Sequence, residues 1–262
     1  MTTRIEVAKL ARVLGEDPAR FDYLLPLPAE DVRVLRERAT ERLFDENRAA
    51  YERIAAASRL VPNAITAAIA QRTFGPLMCA RVAGVLEADR ALDLAGRLSV
   101  DFLADVAAQL DPRRAGPVVG RLPLETVVAV GHELVRRGDY LTMGRFVDDV
   151  PDHTLRAVVT ALPEEALLRV ALHSDTHNRF AALFALVPDD RVPAFLAATA
   201  VPDLAEDVVP LLAHLDANGL ARLAAAADEL SAVDRRRLRA ACGRTGVALG
   251  PLSVALGTQD TP

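Results

Sequence analysis

Two histidines, His173 and His177, stand four residues apart with Asp175 between them. On one continuous helix they would share a face and could hold a metal ion through their ring nitrogens. Ser174-Asp175 also reads as the N-cap of a new helix, which would put the two rings on different elements. No third ligand stands nearby in sequence, so the expectation is surface or capping histidines and no metal. His132-Glu133 has no second histidine at zinc-protease spacing and reads as an ordinary helical pair. Asp148, Asp149 and Asp152 cluster at a helix junction and could attract a divalent cation. The simpler expectation is that Asp152 serves a helix N-terminus while the other two are solvated.

Arg235, Arg236, Arg237 and Arg239, with Arg244 beyond, make the one dense basic run. Such a run could meet phosphate or an anionic lipid, but a solvated face balancing the many carboxylates is the plainer reading. Gly243-Arg244-Thr245-Gly246 is too short and too late for a phosphate loop and reads as the C-cap of that helix. Between Gly138 and Phe146 the chain gathers Tyr140, Met143, Arg145 and Phe146 beside two glycines. Aromatic, methionine and arginine side chains are enriched where proteins bind one another, and these four are the candidate binding residues. The alternative is that the segment only adapts a longer helix, Pro123 to about Arg137, to its neighbour. No nucleophile elbow, Walker loop or dinucleotide fingerprint occurs, and no acid–base pair suggests catalysis. Neither an enzyme nor a cofactor is expected.

The elements that would position these residues are announced by a recurring boundary: Leu122-Pro123, Val150-Pro151, Leu162-Pro163, Val187-Pro188 and Val201-Pro202. Ser99, Asp111 and Asp216 are polar counterparts, and an acidic residue follows most of the prolines within three positions. Proline at the first helical position loses no hydrogen bond, and a carboxylate there meets the positive end of the helix dipole. Each boundary therefore opens a short helix. Apolar residues recur after the boundary at Val127, Leu155, Leu167 and Val192, and again three positions on at Val130, Val158, Val170 and Phe195. That step is helical and points both positions to one side. Paired prolines, Pro112 with Pro117 and Pro188 with Pro193, predict helices that begin with a loose or 3₁₀ turn.

Upstream, a helix over residues 3–14 is expected, capped by Thr2 or Thr3 and ended by Gly15, then a short one from Asp17-Pro18. A long amphipathic helix spans about Ala29 to Arg59, kinked near Asp45-Glu46-Asn47. Its apolar stripe is Val32, Leu35, Ala39, Leu43, Ala50, Ile54 and Ala57. Two more helices begin at Pro62 and Gly75-Pro76. The tail from Gly243 is apolar, with Gly257 to Pro262 expected to be disordered.

The 262 residues suffice for a sizeable core, and 51% of them are hydrophobic. No apolar run approaches membrane-spanning length, no signal peptide is visible, and the two cysteines, Cys79 and Cys242, suit a reducing, cytoplasmic setting. A net charge of −5 argues against nucleic acid as the partner. Lys9 is the only lysine, which together with abundant alanine fits a GC-rich genome.

Runs such as Leu98–Pro112 and Leu162–Val170 resemble the cytosolic N-terminal domain of MgtE-type magnesium transporters, over roughly Leu86 to Leu230. The resemblance implies a right-handed superhelix of short helices. It does not imply transport, since no membrane or CBS domain accompanies the repeat, and no metal ligand of that family matches by position. The resulting expectation is an all-α chain in three parts: an N-terminal helical region over 1–85, the repeat over 86–242 and a tail over 243–262. Its expected function is that of a non-catalytic interaction scaffold or regulatory binding module with a protein partner, forming a homodimer through its N-terminal region. Two alternatives remain: a carrier or sensor of a small apolar ligand lined by Phe102, Phe146, Phe180, Phe184 and Phe195, or a divalent-cation sensor by analogy with the MgtE domain.

Overall fold

The computed structural model describes residues 3–257, and among these there are helices and turns but no strand. The N-terminal elements are α1 (Thr3–Leu14), a 3₁₀ turn over Pro18–Leu24, α2 (Ala29–Ser58), α3 (Asn63–Ile69), a π-helical stretch over Ala70–Phe74, and α4 (Gly75–Ala83). Next come α5 (Ala88–Ala95), α6 (Val100–Gln109), α7 (Pro112–Val119), α8 (Leu124–Arg136) and α9 (Tyr140–Phe146). The rest are α10 (Asp152–Ala161), α11 (Glu164–Leu172), α12 (Phe180–Phe184), α13 (Val192–Ala198), α14 (Ala205–Leu212), α15 (Ala217–Ala225), α16 (Ala232–Thr245) and α17 (Pro251–Leu256). No helix is long and apolar enough to cross a membrane among the described residues.

The boundary residues act as caps. Ser99 accepts from the Phe102 amide at 3.3 Å, Asp111 from Arg113 at 3.2 Å and Asp216 from Gly219 at 2.7 Å. Pro123 and Pro163 sit one place earlier than expected, at the N-cap, with ψ near 133° and 152°. A proline fixed near φ −65° tolerates that extended backbone as well as it tolerates the first helical turn. Pro188 does open a 3₁₀ turn, Asp189–Arg191, before α13. The first proline pair behaves differently: Pro112–Val119 is α-helical throughout, with Pro117 inside it. One i→i−4 bond is lost there, in a helix of only about two turns.

The chain divides into two compact units. The first runs to Thr142 and takes back Asp149–Pro151; the second comprises Met143–Asp148 and the chain from Asp152 onward. The division thus falls inside α9. In the first unit helices pack on their next-but-one neighbours: α4 on both α2 and α6, α6 on α8, and α5 on both α3 and α7. α1 lies along α2, joined by the cluster Val7, Leu10, Leu24 and Val32.

α2 runs unbroken through Asp45-Glu46-Asn47. Its buried face is Val32, Arg36, Thr40, Phe44, Tyr51 and Ala55, so apart from Val32 the expected apolar stripe is not the buried one. Polar groups set this orientation. Glu6 and Lys9 of α1 are fully buried and paired at 2.9 Å, and Arg36 comes within 3.5 Å of Glu6. Further along, Phe44 lies under the guanidinium groups of Arg48 and Arg114, 5.2 and 4.0 Å from the ring centre.

In the second unit the same next-but-one packing joins α11, α13, α15 and α17 in series, and α14 with α16. Phe184, Leu196, Val208, Leu212, Leu223 and Leu238 belong to its large continuous core. The repeat positions Leu155, Val170, Val192 and Phe195 are buried, as are Val150, Leu162 and Val187 ahead of their prolines. Gly144 touches the backbone here: a Cβ on it would fall 2.5 Å from the His173 carbonyl oxygen, so only glycine allows the approach. Gly246 is the expected C-cap of α16, at φ 65°. Most of the tail is structural, because Leu249, Leu252 and Leu256 are fully buried. Residues 258–262 and the possible Thr2 cap lie outside the described residues; Thr3 is itself helical and donates to the Leu27 carbonyl at 2.9 Å.

Candidate functional site

The arginines do more than balance charge. In the second unit Arg191 donates to the carbonyls of Val159, Thr160 and Leu162 at 2.9, 3.0 and 2.6 Å and pairs with Glu164 at 2.5 Å. Arg222 donates to the carbonyls of Phe184 and Val187 at 3.3 and 2.6 Å and pairs with Asp189. Arg179 binds the Val147 carbonyl at 2.7 Å and Asp152. In each case one planar guanidinium closes the open C-terminal carbonyls of one helix and holds the acidic residue that starts the next. The Val/Leu-Pro-acid boundary is therefore half of a clamp whose other half comes from later in the chain. A spacing of 27 residues joins both Asp152 to Arg179 and Glu164 to Arg191. Lysine, a point charge on one nitrogen, could not span these groups.

This use absorbs several candidates. Asp152 begins α10 and is held by Arg179. Asp148 is not simply solvated: it accepts from the Thr176 amide at 3.0 Å and from its hydroxyl. The basic run is not a free solvated face either. Arg235 binds the Ala227 carbonyl at 2.6 Å, Arg237 that of Ala200 at 3.1 Å, Arg239 that of Leu256 at 2.8 Å, and Arg244 pairs with Glu206 at 2.7 Å.

The two histidines part. His173 ends α11, where its Nδ1–H donates to the Arg169 carbonyl at 2.7 Å. His177 stacks edge to face with His214, ring centres 5.0 Å apart. Among the described residues no group of three or more His, Cys, Asp or Glu side chains could hold a metal ion. Glu133 is the ordinary helical residue expected; hydrogen bonds from Arg136 and Arg137 hold its carboxyl down at about 2. Cys79 and Cys242 are both free, and burial pushes both thiols up.

Of the four candidate binding residues, Met143 and Arg145 are buried, 9% and 6% exposed, while Tyr140 and Phe146 are half-buried. All four lie on α9, the helix in which the units divide. Phe180, Phe184 and Phe195 share the core of the second unit, with the rings of Phe184 and Phe195 5.0 Å apart. Phe102 belongs to a separate cluster of the first unit, with Ala80 and Val106.

Exposed apolar surface is distributed unevenly. Fourteen large apolar side chains stand in solvent among the described residues; twelve belong to the first unit, and the second contributes Val233 and Val254 alone. One group is Tyr23, Leu27, Val34 and Leu35, on the 3₁₀ turn, the link after it and the start of α2. Its surroundings carry both signs of charge, with Arg20 paired to Glu16 and Arg33 to Glu30. The other is Leu60, Ile65, Ile69, Phe74 and Leu77, from the end of α2 to α4. Periodicity alone could not find either group, because it marks apolar faces without telling a covered one from a bare one. The chain matches no family model, no curated protein and no solved structure.

Proposed function

We propose that the chain is a non-catalytic helical-repeat protein, an interaction scaffold or regulatory binding module, whose working surface lies on the first unit. The observation that carries this reading is the twelve-to-two division of exposed large apolar side chains between the units. Stable monomeric surfaces seldom leave such side chains clustered, whereas binding faces do. Next-but-one helix packing within each unit, tied by arginine clamps, supports a superhelical arrangement like that of MgtE-type N-terminal domains.

The group at Tyr23, Leu27, Val34 and Leu35 is the proposed homodimer contact. Its mixed charges can face their own copies across a two-fold axis without net repulsion. Leu35 is 45% exposed and outside the core, so glutamate there need not disturb the fold. Sedimentation velocity of Leu35→Glu together with Tyr23→Glu is the test. A wild-type dimer that becomes a monomer with unchanged melting temperature is the expected result. Equal sedimentation of wild type and variant at high micromolar concentration would overturn the contact.

A further inference from the structure

The second exposed group differs from the first in its charge. Between Glu52 and Glu87 the sequence contains no carboxylate but four arginines, Arg53, Arg59, Arg72 and Arg81. The whole chain carries −5, so the remainder outside this stretch carries −9. The stretch holds α3, the π-helical turn and α4. Ile65 and Ile69, one helical turn apart, share the outer face of α3 and are exposed. Leu60 just before them is 89% exposed, and Phe74 and Leu77 follow them into solvent. Two carboxylates that reach it from the following segment are already paired: Glu87, just ahead of α5, with Arg59 at 2.6 Å, and Asp93 of α5 with Asn63 and Arg97.

We infer that this face docks on an anionic membrane surface, with Leu60, Ile65, Ile69, Phe74 and Leu77 entering the headgroup boundary and the exposed Arg53 and Arg72 lying among the lipid phosphates. Charge complementarity selects this occupant. A second copy placed by two-fold symmetry would bring the excess of arginine on one copy against the same excess on the other. Side chains that project individually, as Leu60 does, suit a deformable boundary. A stretch with arginines and no carboxylate of its own suits an anionic headgroup layer, and the −9 remainder turns the rest of the chain away from it. The docking lies in the plane of the boundary and involves no membrane-spanning segment. It rests on the first unit as the working surface, but not on the dimer contact, which the Tyr23 and Leu35 variants test separately.

The test is co-sedimentation of the full chain with vesicles of phosphatidylcholine containing roughly 30% phosphatidylserine, against vesicles of phosphatidylcholine alone. Binding to the anionic vesicles only, weakened by salt, is the expected result. Arg53→Glu with Arg72→Glu should lower the bound fraction at least roughly tenfold, since each arginine near an anionic surface is worth about a factor of five. Leu60→Ser with Ile69→Ser should also lower it, while Val254→Ser, at an exposed apolar position of the second unit, leaves it unchanged. Circular dichroism of each variant shows that the fold is kept. No binding to anionic vesicles, equal binding to neutral ones, or binding indifferent to the Leu60, Ile69 and arginine changes would overturn the inference. So would dissociation of an oligomer by the Leu60 and Ile69 changes, since the face would then belong to a second copy.

Discussion

Arg191 shows what a guanidinium does in this chain that an ammonium could not. Its three carbonyl bonds and one carboxylate need a planar fork, and Lys at this position could keep only part of them. Arg191→Lys is expected to cost about 2 kcal/mol, the worth of a charged hydrogen bond plus the exposed penalty of carbonyls left unmet. Urea denaturation would measure it; a variant as stable as the wild type would remove the clamp from the account. Asp139 makes a second case. Burial pushes its carboxyl up, but hydrogen bonds from Thr142 and Arg12 outweigh this and hold it below the ordinary 3.8. A depressed folded value contributes stability that is complete above the ordinary value and is lost as the pH falls through the folded one. Asp139→Asn should therefore destabilise at neutral pH, and the difference should shrink below about pH 4, measured as melting temperature against pH. The caps at Ser99, Asp111, Asp216 and Gly246 were legible because a cap acts on amides within a few residues of itself. The clamps were not, because the acid at the far end already had a local reason to be there, the helix dipole, and the carbonyls it shares the arginine with carry no residue-type signal.

α2 illustrates what periodicity can and cannot fix. A helix free of Gly and Pro from Ala29 to Ser58 follows directly from the sequence, yet the face it buries includes Arg36 and Thr40. The reason lies on α1, where Glu6 bridges the buried cations of Lys9 and Arg36. Any face that left those groups unmatched would bury charge without a counter-charge. Glu6→Ala is accordingly expected to destabilise the first unit by about 3–5 kcal/mol, the usual cost of removing one partner from a buried ion pair. Proteolysis of the α1–α2 region under native conditions, far faster in the variant, would check it; unchanged resistance would contradict it. The proline-marked helix starts were readable one by one, but Pro117 inside α7 was not, since the loss of a single bond in a short helix is small enough for packing to override.

The second unit is closed around a large apolar core, while the first leaves most of the exposed apolar side chains of the chain in water. The all-helical class was plain from the sequence because turn residues and caps recur throughout it and period-two alternation does not. The division inside α9 was not, because α9 lies within the series of short helices and no change of residue type marks it. Exposure was not legible either: Phe146 is half-buried and Phe74 is in solvent, and residue type does not tell the two apart. If the first unit carries the working surface, self-association must shield backbone there and nowhere else. Hydrogen exchange of the wild-type chain, compared at low and at high micromolar concentration, reads this directly. Added protection confined to residues 18–35 at the higher concentration is the predicted result. Protection that is the same at both concentrations, or that rises only in the second unit, would contradict it.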